Sequence, residues 1–327
     1  MTKLEQSRLL FVNYHYIRDA ATYRYPGIHP IGTMELRAQL ERLLDRFRFA
    51  SPSEVEAFVL GGRKLPGPSI VPTFDDGLMD HWRAACEVLD PLDIKGAFFV
   101  CSRPGIAKRA LMVHKIQWLR AHTRPSEFAA EFFSLIPPEL RPTGHEAWIA
   151  RAERTYKYDT PLEARLKFVL NFVLPRGLVD DVTSLMFANR GIDERRFCDQ
   201  TYMSEEHLRS LVERGHVVGV HGHTHAPFAR LAEGLLDDVG TNVAYLADAI
   251  GCAPTWVAYP YGRADAVPDD AVLASLFRRF NLKIGLTLMG TWNIGGENPA
   301  RLNRINNNEL QAVAGAGNTG SAKPAQV

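Results

Sequence analysis

The sequence has few cysteines, almost no net charge and no long apolar run. Its four cysteines lie far apart without CxxC spacing, so we expect buried thiols in a reducing compartment, although one disulfide pair stays open. A net charge of +1 argues against a dedicated surface for nucleic acid or anionic membranes. Residues 1–8 contain no secretory leader and no stretch can span a bilayer, so we expect a cytoplasmic protein without a transmembrane segment.

What is present is enough apolar sequence for a large core. The chain has 327 residues, of which 46% are hydrophobic, and this excludes an intrinsically disordered protein. The near-neutral charge favours a neutral or small partner. Length alone allows two domains or one elaborated domain, because α/β barrels run to about 250 residues as one unit.

Short apolar runs rich in β-branched and aromatic residues alternate with helical patterns along most of the chain. Seven such runs predict strands, at residues 9–16, 69–74, 94–100, 217–221, 255–259, 283–288 and 302–305. Repeated alternation of strand and helix indicates parallel strands joined by crossovers. Thr33 and Ser204 are predicted to cap two of the helices, the first with Leu36, Leu40, Leu43, Leu44 and Phe47 on its buried face.

The pattern changes in the middle of the chain, where helical periodicity continues without a convincing strand. We therefore predict an α/β fold in which residues 1–100 and 201–311 form a barrel-like core and residues 101–200 form a helical insertion. Residues 312–327 are rich in Gly, Ala and Ser, which predicts a disordered tail.

Three motifs at predicted strand ends carry candidate chemistry. In residues 73–77, TFDDG, one carboxylate can bind a metal while the other faces a water, although an ordinary Asp-Asp-Gly turn is the alternative. In residues 221–225, HGHTH, His221 and His225 have the spacing to converge on one cation, the alternative being a polar loop. In residues 258–263, AYPYGR, a rigid loop can present backbone N–H groups, or simply form a Pro-Gly turn with core tyrosines.

Together, in this order, the three motifs resemble those of the polysaccharide deacetylase family, also called the NodB homology domain or carbohydrate esterase family 4. The resemblance covers roughly residues 9–100 and 200–306. It implies a distorted parallel (β/α) barrel of about seven strands that holds one divalent metal ion, expected to be Zn²⁺. It also implies a carbohydrate substrate whose N-acetyl group is hydrolysed.

The resemblance assigns roles to individual residues. It implies that Asp75 is the general base, that Asp76, His221 and His225 are the metal ligands, and that the backbone N–H of Tyr261 supports the oxyanion. Asp plus two His leaves coordination positions open, as a hydrolytic metal site needs, and a free carboxylate beside it can take a proton.

Two departures from the family pattern require substitutes. Ala258 stands where the family has an arginine that orients the base, so we expect Arg304 or Arg301, from a neighbouring strand, to supply that charge. All eleven histidines lie at or before His225, so the usual C-terminal acid is missing. His15 is the candidate acid, because closing a barrel brings the first strand beside the last, and this resembles the permuted branch of the family; a core or loop histidine is the alternative.

Weaker sequence signals concern the substrate. His29 is a candidate for contact with the substrate, the alternative being a solvated loop histidine. Trp292 is a candidate for stacking on a sugar, since aromatic faces suit apolar sugar faces, and core packing is the alternative. The leading hypothesis is a metal-dependent carbohydrate N-deacetylase acting on a glycan or a precursor. Two alternatives remain, which are a hydrolase of a non-sugar amide and a non-catalytic carbohydrate-binding relative. The sequence does not indicate the sugar, the native metal or the oligomeric state.

Overall fold

A computed structural model of the chain describes residues 7–19, 30–141, 146–155 and 159–310. These residues belong to two compact units. The first contains residues 7–19, 30–107 and 199–310, and the second contains the described residues between 108 and 198. No helix in these ranges is long and apolar enough to cross a membrane. His29 and the predicted tail lie outside the described residues.

The first unit is built on one parallel sheet. Its strands are β1 (Arg8–Tyr14), β2 (Arg48–Phe49), β3 (Pro68–Phe74), β4 (Ala97–Val100), β5 (Val217–Val220), β6 (Trp256–Ala258), β7 (Ile284–Leu286) and β8 (Arg304–Asn306). Neighbours follow the order β7-β6-β5-β4-β3-β1-β8, and β2 pairs with β3. A parallel bridge between Leu286 and Leu302 joins the two ends of this order, so the sheet is a nearly closed barrel. The predicted distorted barrel is confirmed.

Helices fill the connections between the strands. Those of the described residues are α1 (Thr33–Leu44), α2 (Pro52–Val59), α3 (Met79–Ala84), α4 (Arg103–Ala107), α5 (Met112–His122), α6 (Pro125–Leu135), α7 (Glu146–Thr155), α8 (Pro161–Phe168), α9 (Arg176–Asn189), α10 (Glu194–Thr201), α11 (Glu205–Glu213), α12 (Leu235–Ile250) and α13 (Asp270–Phe280). The first unit contains α1–α4 and α11–α13, the second contains α5–α9, and the boundary falls within α10.

Both faces of the barrel strands are buried, as is usual for parallel sheets. Leu10 and Val12 of β1 pack in one apolar cluster with Leu40 of α1, outside the barrel. Phe11 points to the other face and packs in a second cluster with Trp256, the two ring centroids being 6.2 Å apart at 87°. This alternation along β1 places Asn13, two residues beyond Phe11, on the inner face at the carboxyl end of the barrel.

One of the two predicted helix caps is correct. The Ser204 hydroxyl accepts a hydrogen bond from the His207 N–H and caps α11. Thr33 is instead the first residue of α1, which begins after Gly32 without a side-chain cap, so that prediction is wrong. Leu44 is also misassigned, because it is 43% exposed, whereas Leu43 faces the core one position earlier on the helix.

The cysteines differ from expectation in their burial. None of the four forms a disulfide; Cys101 and Cys198 are buried and Cys86 is half-buried. Cys252 is exposed, because it follows the left-handed Gly251 that ends α12 and lies before β6 begins. The expectation of buried thiols is therefore wrong for Cys252.

The second unit has an apolar core of its own. Phe128 and Phe132 of α6 stack with their ring centroids 5.8 Å apart and share a cluster with side chains of α5, α8 and α9. Lys115 lies within this unit without solvent exposure, and its ammonium group contacts the Asp180 carboxylate at 2.6 Å. A buried charge is tolerated there because it is paired and hydrogen-bonded, with the Ser184 hydroxyl also 2.6 Å away.

A buried histidine connects two segments near the amino end of β5. The Gly96 N–H donates to Nδ1 of His216 at 3.1 Å, and Nε2 donates to the Asp90 carboxylate at 3.2 Å. Nδ1 therefore acts as an acceptor, so the imidazole is neutral. Burial outweighs the attraction of Asp90 and lowers the pKa of His216 to about 4.

This low pKa makes stability fall in acid. Between the ordinary histidine pKa of about 6.5 and the folded value of about 4, the unfolded chain binds more protons than the folded chain. The contribution of His216 to the free energy of unfolding is therefore fully present above pH 6.5 and declines toward pH 4. We expect His216 to account for roughly 3 kcal/mol of this decline. Urea unfolding of the wild type and His216→Gln at pH 7 and pH 4 measures it. Equal pH-dependent losses in the two proteins would contradict the assignment.

Candidate active site

The two carboxylates of the first motif follow β3 directly. The Asp75 N–H still donates to the Tyr14 carbonyl at 3.2 Å, which continues the pairing of β3 with β1. Asp76 then adopts a φ of 81° and Gly77 a φ of 78°, so the chain turns sharply. A Cβ on Gly77 would lie 2.8 Å from Val100, which explains the glycine. The turn leaves both carboxylates buried at the carboxyl end of the barrel.

The second motif forms what we call the histidine loop, residues 221–225, after β5. Nδ1 of His221 donates to the Ala258 carbonyl at 2.7 Å, because a carbonyl can only accept, so Nε2 is the ring nitrogen that remains for a metal ion. That Nε2 lies 3.5 Å from Oδ1 of Asp76, and Nε2 of His225 lies 3.2 Å from the same oxygen. The three predicted ligand residues are thus brought together.

These residues fit a divalent metal ion. One ligand atom from each of Asp76, His221 and His225 lies within 4.8 Å of the others, and all three residues are buried. Ligands about 2.0–2.1 Å from a tetrahedral zinc ion are roughly 3.3–3.4 Å apart, close to the 3.2 and 3.5 Å observed. A carboxylate with two imidazoles is also a donor set that suits zinc, and its three ligands leave a position open.

Arg304 supplies the charge beside Asp75, the predicted base. Its Nη1 and Nη2 atoms donate to the two oxygens of Asp75 at 2.8 and 2.9 Å, in a bidentate pair that is almost wholly buried. The same guanidinium donates to Asn13 and Thr73 at 3.3 Å each and to the Thr287 carbonyl at 3.2 Å. Arg304 therefore reaches from β8 across β1 to the end of β3.

The other arginine is elsewhere. Nε of Arg301 donates to the Asp270 carboxylate at the start of α13, and its guanidinium also donates to the Pro268 carbonyl. The alternative that Arg301 supplies the charge beside Asp75 is therefore wrong, and its contact with a substrate stays a prediction. Arg301 lies on the turn before β8, whereas Arg304 is within β8 and faces the other strands.

Two opposing effects act on the charge of Asp75. Burial would raise its pKa, but the positive charge and hydrogen bonds of Arg304, with contributions from His221 and His15, lower the pKa below its ordinary value. For His221, burial would lower the pKa, and the neighbouring Asp75 and Asp76 carboxylates raise it overall. A metal ion would compete with a proton for this imidazole.

His15 follows β1 and is exposed at the same end of the barrel. It is near enough to Asp75 for its charge to affect the Asp75 pKa. Nε2 of the buried His81 donates to the His15 backbone carbonyl at 2.6 Å, so α3 holds this backbone in place. The structure thus places His15 at the same end of the barrel as the carboxylate that is predicted to be the base.

The two tyrosines of the third motif, residues 258–263, have different surroundings. Tyr259 is buried and its hydroxyl donates to the Ala300 carbonyl at 2.7 Å. Tyr261 has a φ of 66°, and its ring centroid lies 5.1 Å from that of His225. Gly262 follows with a φ of 60°, where a Cβ would meet Leu288 at 2.8 Å. The turn thus places Tyr261 beside the predicted metal ligands.

Trp292 is not at this site. Its ring packs on Phe47 at 5.8 Å, with the Arg8 guanidinium 4.2 Å above the ring centroid. The next residue, Asn293, bridges to Leu9 at the amino end of β1, whereas Asp75 adjoins Tyr14 at the carboxyl end. Leu9 and Tyr14 are five residue steps apart on the strand, or roughly 17 Å, so the prediction of a sugar contact at Trp292 is wrong.

Several residues that hold the site were not predicted from the sequence. Asp238 and Asn242 of α12 bind the backbone of the histidine loop, Asn13 binds Arg304, and His81 binds the carbonyl of His15. A polar pair four residues apart within the otherwise apolar face of α12 is the signal that could have identified the first two.

The model of the polysaccharide deacetylase family matches residues 180–283. This stretch includes the histidine loop and Tyr261, and Asp75 and Asp76 precede it. The match confirms the resemblance predicted from the three motifs. Among curated proteins, none matches this chain.

Solved structures share the fold at low sequence identity. IcaB from Ammonifex degensii is 18% identical with a TM-score of 0.58, and the alignment covers 96% of this chain and 98% of that one. The Streptococcus pyogenes deacetylase PplD in complex with acetate is 14% identical, with a TM-score of 0.53 and 92% of each chain covered. The BpsB deacetylase domain from Bordetella bronchiseptica is 14% identical, with a TM-score of 0.51, covering 92% of this chain and 96% of that domain.

The buried pair of Arg304 and Asp75 gives a testable expectation for stability. Removing one partner of a buried ion pair leaves an uncompensated charge, which costs about 3–5 kcal/mol. We therefore expect Arg304→Met to lower the free energy of unfolding of the metal-free protein by about that amount. The exposed pair of Arg301 and Asp270 should contribute about 1 kcal/mol or less. Urea unfolding of Arg304→Met and Arg301→Met compares the two decreases in the free energy of unfolding. Equal decreases would show that the buried pair with Asp75 contributes no more than the exposed pair.

Proposed function

We propose that this chain is a metal-dependent deacetylase that removes the N-acetyl group from an N-acetylated sugar or glycan precursor. It carries a polysaccharide deacetylase domain and is a hydrolase of carbon–nitrogen bonds in carbohydrates. One observation carries the proposal. Three buried metal-ligating side chains converge beside a fourth buried residue, Asp75, whose carboxylate is held ionised by a bidentate arginine.

In this proposal Asp76, His221 and His225 hold the cation, which when bound acts as a Lewis acid on the amide carbonyl and on water. Zn²⁺ is the ion that the donor set favours. The Ala258 carbonyl assists by fixing the tautomer of His221, so its Nε2 faces Asp76.

The chain's own residues move the protons. Asp75 takes a proton from the water that attacks the amide carbon, and its lowered pKa keeps it ionised and able to act as a base. Arg304 fixes the carboxylate through both oxygens, so the base has one orientation. As charge develops on the former carbonyl oxygen, the backbone N–H of Tyr261 donates a hydrogen bond to it.

Cleavage then requires a proton on the leaving nitrogen. His15 is the donor in this proposal, because it lies at the same end of the barrel as Asp75 and its backbone is held by His81. The carbon–nitrogen bond breaks, the sugar amine leaves protonated, and acetate is the second product. PplD, which shares the fold, has been solved in complex with acetate, and this supports an acetyl group as the part removed.

The substrate is the less constrained part of the proposal. The family description supports a carbohydrate, and a neutral sugar amide agrees with the net charge of +1. The cytoplasmic location expected from the sequence stays a prediction. A non-sugar amide or a purely sugar-binding role is an outcome that the following experiment distinguishes.

Substitution of the base and of a metal ligand should separate catalysis from metal binding. We expect Asp75→Asn to lower acetate release from N-acetylglucosamine oligosaccharides by about 10²–10⁴-fold while zinc content is unchanged. Asp76→Asn should lose both activity and zinc, and chelation should abolish activity until zinc is restored. Acetate release is followed by a coupled assay and zinc by elemental analysis.

Three other results have clear meanings. Wild-type turnover by Asp75→Asn would remove Asp75 as the base. Acetate release only from non-sugar N-acetyl amides would support the related hydrolase. Bound zinc without release from any amide would support the carbohydrate-binding role.

The role of His15 predicts a loss of turnover when its side chain is removed. A general acid donates the proton that the leaving nitrogen needs. We expect His15→Ala to lower kcat by about 10²-fold or more. The measurement is kcat at several pH values, with His207→Ala on α11 as a histidine control. Retention of near wild-type turnover across pH by His15→Ala would exclude this role.

A further inference from the structure

The backbone of the histidine loop is held by side chains of α12. Asn242 accepts a hydrogen bond from the His221 N–H at 3.0 Å. The two oxygens of Asp238 accept from the N–H groups of His223 and Thr224 at 2.7 and 3.1 Å, and the Thr224 hydroxyl donates to Asp238 at 2.6 Å. Two side chains thus satisfy three of the backbone donors of a loop that contains no regular secondary structure.

The two side chains are placed for this by helical spacing. Asp238 and Asn242 are four residues apart, so they lie above one another on the same face of α12. Asp238 is 8% exposed and Asn242 is fully buried. Nδ2 of Asn242 also donates to the Val100 carbonyl at the end of β4 at 2.9 Å. The helix therefore links the loop after β5 to the neighbouring strand.

The opposite side of the loop is fixed as well. The Cys101 thiol donates to the His221 carbonyl at 3.2 Å, and the Arg103 N–H donates to the His223 carbonyl at 3.2 Å. The loop carbonyls are thus bound by the segment after β4, and the loop N–H groups are bound by α12.

The loop needs such support because its conformation is strained. His225 has a φ of 57°, which costs a non-glycine residue free energy. Gly222 has a φ of 77°, and a Cβ there would lie only 2.7 Å from Oδ1 of Asp238. The Asp238 carboxylate therefore packs against the backbone of Gly222, which lies between His221 and His225.

We propose that Asp238, together with Asn242, is a positioning residue that holds His221 and His225 in a metal-binding arrangement before the metal arrives. This inference rests on the proposed function, since it concerns the same metal. Neither residue is among the predicted ligands. A loop that is already ordered loses less conformational entropy on binding, so its supports contribute to metal affinity.

The test measures Zn²⁺ binding to the folded protein by competition with a chromophoric chelator. Asp238→Asn keeps the size of the side chain but removes one acceptor oxygen, and we expect the Kd for Zn²⁺ to rise about 10–100-fold. Asp237→Asn is the matched control, because it removes the same charge from the exposed neighbouring residue and should leave the Kd unchanged. Thr224→Val removes only the hydroxyl bond to Asp238, and a rise of a few-fold is expected even if Asp238→Asn does not fold.

A second readout separates positioning from general destabilisation. Amide hydrogen exchange in the metal-free protein should accelerate at His223 and Thr224 in Asp238→Asn, with little change in the barrel strands. Unchanged Zn²⁺ affinity in Asp238→Asn and in Thr224→Val, with tight binding by the wild type, would overturn this inference alone. Failure of the wild type to bind Zn²⁺ would overturn the inference and the metal-dependent function together.

Discussion

The ion pair between Arg304 and Asp75 is the interaction on which the site depends most. A buried carboxylate that stays ionised, as the proposed base must, needs a positive partner, because burial alone would raise its pKa and favour the uncharged form. Arg304 supplies that partner from β8, and its remaining N–H groups bind β1, β3 and the residue after β7. The ionised state of Asp75 and the pairing of β8 with the other barrel strands therefore both depend on the Arg304 side chain.

The predicted metal ligands and Tyr261 depend on support for an unusual backbone conformation. Asp76, His225 and Tyr261 each have a positive φ, although none is glycine. Such strain persists only where surrounding contacts determine the conformation, and here they do. The Ala258 carbonyl orients His221, and Asp238 and Asn242 bind the loop N–H groups. Ala258 thus contributes through its main chain.

Much of the fold follows from the sequence, since all seven predicted strands are present with ends that shift by up to three residues. Only β2 was missed, because a strand of two residues gives no periodic signal. In the site, Asp75, Asp76, His221 and His225 were identified as motif residues at strand ends, where parallel strands place functional groups. Their convergence in space needed the structure.

Other features depend on strand pairing that the sequence does not specify. Trp292 follows β7 in sequence, yet it packs at the amino end of the barrel because residue 293 bridges to Leu9. Arg301 and Arg304 could not be distinguished until β8 was paired with β1, with Arg304 opposite Phe11. Asp238 lies 13 residues beyond His225, and only the packing of α12 brings it back to the histidine loop.

The position of Arg304 in the chain has a consequence for biosynthesis. Asp75 is synthesised early, whereas its partner Arg304 lies 229 residues later in the chain. While the nascent chain is still on the ribosome, the Asp75 carboxylate therefore lacks the guanidinium with which it pairs in the folded protein. Contacts between residues so distant in sequence also form slowly, because a long loop must close first. The barrel is therefore expected to reach its native state only after β8 has emerged from the ribosome. A chain that ends before Arg304 would lack both β8 and the guanidinium that pairs with Asp75.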